Sequence, residues 1–216
     1  MILKNIKIKT HLKDETNCYI IHDEITKETI VIDPAGDVPK IEEMLDILHA
    51  NLKYIVLTHC HGDHVGGVNE LRDKYGGTIL LHRICKKNIN NQDIMLTEYI
   101  GMPEVILNDL RTVDDKDLIH VGNVEIEIIH TPGHTSGGIS LYCKEHDMLF
   151  SGDTIFRGTW GRTDLPTGSL EDIMNSIIKK ILPLPDNTII YPGHGLPTTI
   201  REEKPIYLNL QPRRII

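Results

Sequence analysis

The sequence predicts one α/β domain over residues 1–216, with strands and helices interleaved along its whole length. Three observations carry that prediction. Short apolar runs of the strand type recur from end to end, and segments with helical spacing separate several of them. No repeat, low-complexity tract or linker divides the chain. Its 40% apolar and 25% charged residues suit a globular chain that buries roughly 70% of its unfolded surface.

Residues 2–10 alternate apolar with polar side chains and read as a strand, and 17–22 and 29–33 are short β-branched runs parted by polar turn residues. Asp33-Pro34-Ala35-Gly36 closes that meander. Apolar spacing at Ile41, Met44, Leu45 and Leu48 then makes 38–50 a helix. Residues 54–57 form a continuous apolar strand of the buried kind, 68–75 read as a helix and 78–82 as a further strand. No period persists over 86–110, which we read as a mobile connection with one short helix. Strand signals resume at 124–130, 138–142 and 148–151. Ser169 is placed to cap a helix over 170–181, with Glu171 and Asp172 in its first turn and Pro183 and Pro185 ending it. A last strand at 188–191 and a short helix at 199–204 complete the pattern.

Lys and Arg number 23 against 31 Asp and Glu, and the net charge of −8 counts against a nucleic-acid surface. No apolar run approaches the roughly 20 residues of a membrane span, and residues 1–9 lack the apolar core of a signal peptide. The four cysteines (18, 60, 85 and 143) form no C-x-x-C and suit a reducing compartment. A cytoplasmic protein without membrane or nucleic-acid partners is expected. The 12 histidines, more than Phe, Trp and Met combined, point to its chemistry.

His59-Cys-His61-Gly-Asp63-His64 places four metal-competent side chains within six residues, just past the buried strand at 54–57. In extended backbone His59, His61 and Asp63 start on one side, and Gly62 lets the chain bend so that His64 can join them. Three more strands end in similar turns: His130-Thr-Pro-Gly-His134, Ser151-Gly-Asp153 and Tyr191-Pro-Gly-His194-Gly195. A lone His or Asp in a turn is usually just solvated. Four such turns at strand ends imply one shared site, at the carboxyl edge where open α/β sheets bind ligands.

With these residues in hand, the sequence resembles the metallo-β-lactamase superfamily, and within it the glyoxalase II-like hydrolases. The matching motifs are Thr58-His-Cys-His-Gly-Asp-His64, Thr131-Pro-Gly-His134-Thr135, Ser151-Gly-Asp153 and Pro192-Gly-His194-Gly195. The resemblance implies a four-layer αββα sandwich with metals at one edge, between the sheets. It implies that His59, His61 and His134 hold one ion, that Asp63, His64 and His194 hold a second, and that Asp153 bridges them. The implied cofactors are two divalent ions, zinc foremost, with iron or manganese as alternatives.

Two such ions activate a shared water as hydroxide, which Asp63 would orient toward a carbonyl. No nucleophile elbow, phosphate loop or dinucleotide fingerprint offers a rival chemistry. Asp153, where the commonest β-lactamases have Cys, argues against an antibiotic-degrading enzyme. Arg162 stands where glyoxalase II has a basic residue contacting the thiol moiety, and Asp164 close by offers it a plain ion pair instead. Only 22 residues follow His194, so the helical domain that contacts glutathione in glyoxalase II is missing, and Thr163-Asp164 replaces an expected aromatic. A small anionic thioester is therefore the expected substrate.

The principal competitor is a persulfide dioxygenase with a single iron on His59, His134 and Asp153, a facial triad suited to oxygen chemistry. A metal-storing protein is the non-enzymatic alternative. Asp33 is placed to hydrogen-bond a ligating imidazole. Cys60 should point into packing, His82 and His130 should be structural or support the ligands, and His11, His22, His49, His120 and His146 are assigned to surface or core.

Overall fold

Alternation along the strands sorts side chains onto two faces, and in this fold both faces are covered. The computed structural model describes residues 1–9 and 15–210, so His11 lies outside the described residues. The first sheet takes β1 (Ile2–Lys9), β2 (Glu15–His22) and β3 (Glu28–Ile32), then β4 (Asn51–Val56) after helix α1 (Val38–Leu48). Helices α2 (Gly62–Val65) and α3 (Val68–Tyr75) lead to β5 (Thr78–His82), and α4 (Arg83–Asn88) and α5 (Gln92–Met95) precede β6 (Leu110–Val113). The six strands lie in sequence order, antiparallel from β1 to β3 and parallel from β3 to β6.

The second sheet is built from β7 (Leu118–Val121), β8 (Val124–His130), β9 (Ile139–Cys143) and β10 (Met148–Gly152). A small ribbon of β11 (Ile155–Phe156) and β12 (Thr159–Trp160) follows, then α6 (Leu170–Ser176), β13 (Ile189–Pro192), β14 (Thr198–Thr199) and α7 (Ile200–Leu210). The sheet order is β14-β13-β10-β9-β8-β7, with β10 and β13 parallel.

Neighbouring residues of one strand feed different layers. Tyr19 and Ile21 face the second sheet, while Cys18 and Ile20 pack outward under α1 and α3. Val56 and Leu80 follow the first pair, and Ile55, Leu57, Ile79 and Leu81 the second. On the other sheet Phe150 points inward, whereas Leu149 and Tyr142 pack against Ile173, Ile177 and Ile181. The result is the expected helix–sheet–sheet–helix sandwich. Strands covered on both faces explain the continuous apolar run at 54–57.

Three local expectations change. The segment 86–110 is packed, not mobile: α4 and α5 bracket a turn, and Met95, Thr97, Ile100 and Leu107 are buried. Side chains replace the missing secondary structure there, since Asn90 bonds both backbone groups of Leu107 and Gln92 bonds both of Val105. Periodicity cannot register such bonding. Ser169 does cap α6, accepting from Asp172 N at 3.2 Å, but α-geometry ends at Ser176 and one π-type turn over Ile177–Ile181 carries the chain on before either proline. The last helix is longer than 199–204 and contains Pro205.

The turns after β3, β4, β8, β10 and β13 share one edge of the sandwich. Ile139 N donates to Thr58 O at 2.8 Å, joining the sheets at that edge. Asn17 N donates to Gly193 O (2.7 Å) and Tyr19 Oη to Pro192 O (2.7 Å), which ties β2 to the turn after β13.

Candidate metal centre

The site begins with Asp33, a buried carboxylate past the end of β3. It accepts from Thr58 N at 2.8 Å and from the Thr58 hydroxyl at 2.6 Å, so it fixes the chain as it leaves β4. His59 and His61 follow in that loop, with His61 extended at the start of α2, and Asp63 and His64 form the first turn of that helix. Gly62 serves close packing here: a Cβ would press on Ile100 Cδ1 at 3.0 Å and Thr97 Cγ2 at 3.1 Å.

Two clusters of donor atoms result. His61 Nδ1 lies 3.1 Å from His59 Nε2 and 2.9 Å from His134 Nε2. Nearby, His64 Nε2 and His194 Nε2 are 3.3 Å apart, with Asp63 Oδ2 at 3.9 and 3.4 Å from them. Asp153 sits between the clusters. Its Oδ2 is 3.5 Å from His134 Nε2 and 3.4 Å from His194 Nε2, and its Oδ1 is 3.5 Å from His64 Nε2.

Hydrogen bonds on the far side of the rings decide which nitrogen keeps a lone pair. His134 Nδ1 donates to the Arg162 carbonyl (2.8 Å) and His194 Nδ1 to the Glu15 carbonyl (3.0 Å); a carbonyl only accepts, so Nδ1 keeps its proton in both rings, and the inward Nε2 is the atom that binds a cation, after giving up its own proton where the ring is charged. His64 Nδ1 donates to Asp33 Oδ2 (2.9 Å) with the same consequence. The Thr58 hydroxyl gives its one proton to Asp33, so at 3.1 Å it accepts from His59 Nδ1. His61 faces the cluster with Nδ1, and its buried Nε2 has no hydrogen-bond partner among the described residues. Asp33 also lies close to His59 and His64. Its oxygens are committed to Thr58 and His64 Nδ1, so it orients the rings.

The electrostatics divide in the same way. Burial and the neighbouring imidazoles hold His59 well below its ordinary range and His61 down to about 3, so both stay neutral. Burial opposes charge at His64 too, but Asp153, Asp33 and Asp63 overcome it and raise its pKa to about 9. For His194 burial is again outweighed, by Asp153 and Asp63, and the pKa rises to about 11. Burial would raise Asp153, yet His194 and His64 pull it well below the carboxylate range.

Inward imidazole nitrogens, two carboxylates and an Asp153 Oδ1 with no hydrogen-bond partner among the described residues make a buried pocket for a cation. Its nitrogen spacings approach the ~3.3 Å separation of ligands around a tetrahedral zinc with bonds near 2.0–2.1 Å. The donor set thus fits small divalent ions.

The clusters open onto a cleft of about 690 Å³, walled by Leu96, Tyr99, Ile100, Phe156 and Leu165 and bordered by Lys7, Glu15 and Arg162. The Arg162 guanidinium makes a two-pronged pair with Asp164 (both contacts 2.8 Å), and its Nη1 donates to Tyr99 Oη at 3.5 Å. That leaves the ion-pair reading of Arg162 as the one seen in this structure. Sequence reasoning missed the wall from 96–100, which had no period to reveal it, and Lys7, whose place in the alternation of β1 was readable. His82 and His130 stack on one another (centroids 4.0 Å apart) and make no hydrogen bond to the site histidines; Cys60 is buried in packing.

No helix among the described residues is long and apolar enough to cross a membrane. Comparison with known proteins agrees with the architecture. The profile of the metallo-β-lactamase superfamily matches residues 13–194. Hydroxyacylglutathione hydrolase GloC of Haemophilus influenzae is 35% identical, over 93% of this chain and 95% of its own. Among solved structures, BLEG-1 B3 metallo-β-lactamase superposes with a TM-score of 0.88 at 31% identity, covering 98% of this chain and all of that one. TTHA1623 in a di-iron-bound form gives 0.81 at 28% identity, over 93% and 96% of the two chains. ETHE1 from Myxococcus xanthus gives 0.76 at 26%, over 99% and 93%. By motif, fold and profile alike, the chain belongs to the metallo-β-lactamase superfamily.

Proposed function

We propose that the protein is a metal-dependent hydrolase of the glyoxalase II-like type that cleaves a small anionic thioester in the cytoplasm. The observation that carries this reading is Asp153, whose carboxylate stands within 3.5 Å of His134 in one donor cluster and of His64 and His194 in the other. A group so placed suits two ions sharing one ligand. His59, His61 and His134 would hold the first ion, Asp63, His64 and His194 the second, and Asp153 both. Zinc is the expected metal, with iron or manganese as alternatives; TTHA1623, a relative in shape and sequence, is described with two irons.

When bound, such ions supply Lewis acidity and bring the pKa of a water near neutrality. The chain's own groups do the rest. Asp63 reaches the cleft, where its carboxylate would orient the attacking water. The fixed tautomers of His59, His64, His134 and His194 hold the centre rigid without reorganisation. Leu96, Ile100 and Phe156 exclude bulk water, and Arg162 with Tyr99 marks the side on which the thiol half would lie. The activity that GloC is named for, hydrolysis of a hydroxyacylglutathione, supports an acyl thiol as the substrate class.

The experiment measures metal content by elemental analysis, hydrolysis of an acyl-glutathione thioester and of a β-lactam, and oxygen uptake with glutathione persulfide. Two ions per chain and oxygen-independent thioester cleavage are expected. One iron per chain with oxygen uptake would establish the persulfide dioxygenase reading, which the likeness to ETHE1 keeps as the second candidate. Cleavage of the β-lactam alone would move the protein beside BLEG-1. A loaded protein inert toward all three would be a metal-binding protein only.

A further inference from the structure

Lys7 is a cation on a face that is otherwise meant for the core. In β1 alternate residues point to opposite sides of the sheet. Ile2, Ile6 and Ile8 pack outward beneath the helices, whereas Leu3 packs between the sheets, so Lys7 shares the inter-sheet face with Leu3. At the end of an edge strand that face becomes the rim of the cleft, and Lys7 borders the cleft together with His194, Asp63 and Asp153.

Its surroundings set what it can do. Among the described residues Lys7 Nζ donates to one acceptor, the Gly195 carbonyl, at 2.9 Å. An ammonium has three N–H groups, and the described residues take up one of them. Gly195 directly follows His194, which places the ammonium beside the second donor cluster. Arg162 stands on the other flank, where its carbonyl receives His134 Nδ1. The centre therefore lies between two cations, each attached to the neighbourhood of a different cluster. Glu15 borders the same rim; its carbonyl is committed to His194, and its carboxylate favours the charged form of Lys7 without forming an ion pair with it among the described residues.

We propose that Lys7 is a specificity-determining residue that takes a carboxylate on the acyl half of the substrate, opposite the flank of Arg162. The substrate class is then an acyl thioester whose acyl chain itself ends in a carboxylate, such as a dicarboxylic acid esterified at one end. This deepens the hydrolase reading and rests on it for the word thioester; the carboxylate subsite stands on the position of Lys7 alone. An unbranched apolar acyl chain would cover the ammonium without adding a hydrogen bond beyond that to the Gly195 carbonyl, which disfavours it.

The test uses metal-loaded protein and two inert thioethers of N-acetylcysteamine, S-(3-carboxypropyl) and S-butyl, titrated calorimetrically. The neutral thiol keeps Arg162 out of the comparison. Wild type should bind the charged ligand roughly tenfold tighter, the range of one charge-assisted contact at a partly exposed site. Lys7→Met should abolish that preference, and Lys7→Arg should restore most of it, with metal content checked in each. No preference in wild type, or equal weakening of both ligands in Lys7→Met, would overturn the proposal, since the latter is what loss of the Gly195 bond alone would do. Turnover of the matching succinyl and butyryl thioesters runs alongside. Discrimination in binding without turnover of either would sink the hydrolase reading and leave the carboxylate subsite intact.

Discussion

Asp33→Asn should remove one ion and leave the other, through a single proton. In the native site Asp33 Oδ1 takes Thr58 N–H, and Oδ2 takes both the Thr58 hydroxyl and His64 Nδ1–H. An asparagine with its oxygen toward Thr58 N must turn its NH2 toward Thr58 Oγ1 and His64 Nδ1. Both can accept, at the cost of the hydrogen bond that the Thr58 hydroxyl gave to Oδ2, and His64 accepts only if it moves its proton to Nε2. The backbone raises no objection, because the φ of +51° at position 33 suits Asn as well as Asp. Nε2–H then points at His194 and Asp153 where a lone pair is required. Restoring the lone pair sets donor against donor, at a cost of about 1–3 kcal/mol. That corresponds to a roughly 5- to 150-fold loss of affinity at the second cluster, in line with the 10- to 100-fold typical of groups supporting ligands. His59 is spared, since Thr58 Oγ1 can still accept from its Nδ1. The assay is metal content after equilibration with a graded chelator, paired with 15N shifts that report each imidazole tautomer. Wild-type affinity at both positions, with His64 still protonated at Nδ1, would refute the tautomer argument.

Other perturbations separate the parts of the site. Asp153→Ala should lose both ions by elemental analysis, because its carboxylate lies against both clusters; normal loading would contradict a shared ligand. Arg162→Ala should retain both ions and mainly raise KM for an acyl thioester, since its carbonyl, not its guanidinium, holds His134. Gly193→Ala should fold by circular dichroism yet bind metal poorly, as the new methyl group would meet Asp153 Oδ1 and, at 2.8 Å, His64 Cε1. The metal-free protein should be most stable near pH 6.5. His64 and His194 are raised to about 9 and about 11, so the stability they contribute is complete below their unfolded value of about 6.5 and is lost as pH climbs through 9 toward 11. His59 and His61, held low, act in the opposite window, because below about pH 6.5 the unfolded chain binds protons that they refuse. A melting temperature that stays level or rises between pH 6.5 and 9 would contradict this.

The sandwich was legible because strand alternation and the turns after the strands are both properties of short windows. His59, His61, Asp63, His64, His134, Asp153 and His194 could be named from four such windows, and the structure gathers them at one edge. The wall of the cleft was not legible. Leu96, Tyr99 and Ile100 lie in a segment whose order comes from Asn90 and Gln92 bonding distant backbone, which leaves no hydrophobic period. Gly62 shows a related limit: its need for close packing arises from Thr97 and Ile100, more than thirty residues on. Arg162 was legible as a cation at the site, and Asp164 as the partner that its guanidinium takes in this structure.

The anchors that orient the imidazoles explain why motif and site differ in extent. His134 and His194 are each held by a backbone carbonyl, from Arg162 and Glu15, and any residue at those positions supplies one. No side-chain signature is required there, so none is written in the sequence. His64 and His59 instead depend on side chains, Asp33 and Thr58, and these are readable. The two kinds of anchor should fail differently. Substituting Asp33 or Thr58 changes which atoms donate, and it acts on tautomer and metal affinity. Substituting Glu15 or Arg162 leaves the carbonyls in place and should change only the charge at the mouth of the cleft, with the imidazole tautomers unaltered. The donor clusters are in this sense held by the backbone on one side and by side-chain chemistry on the other.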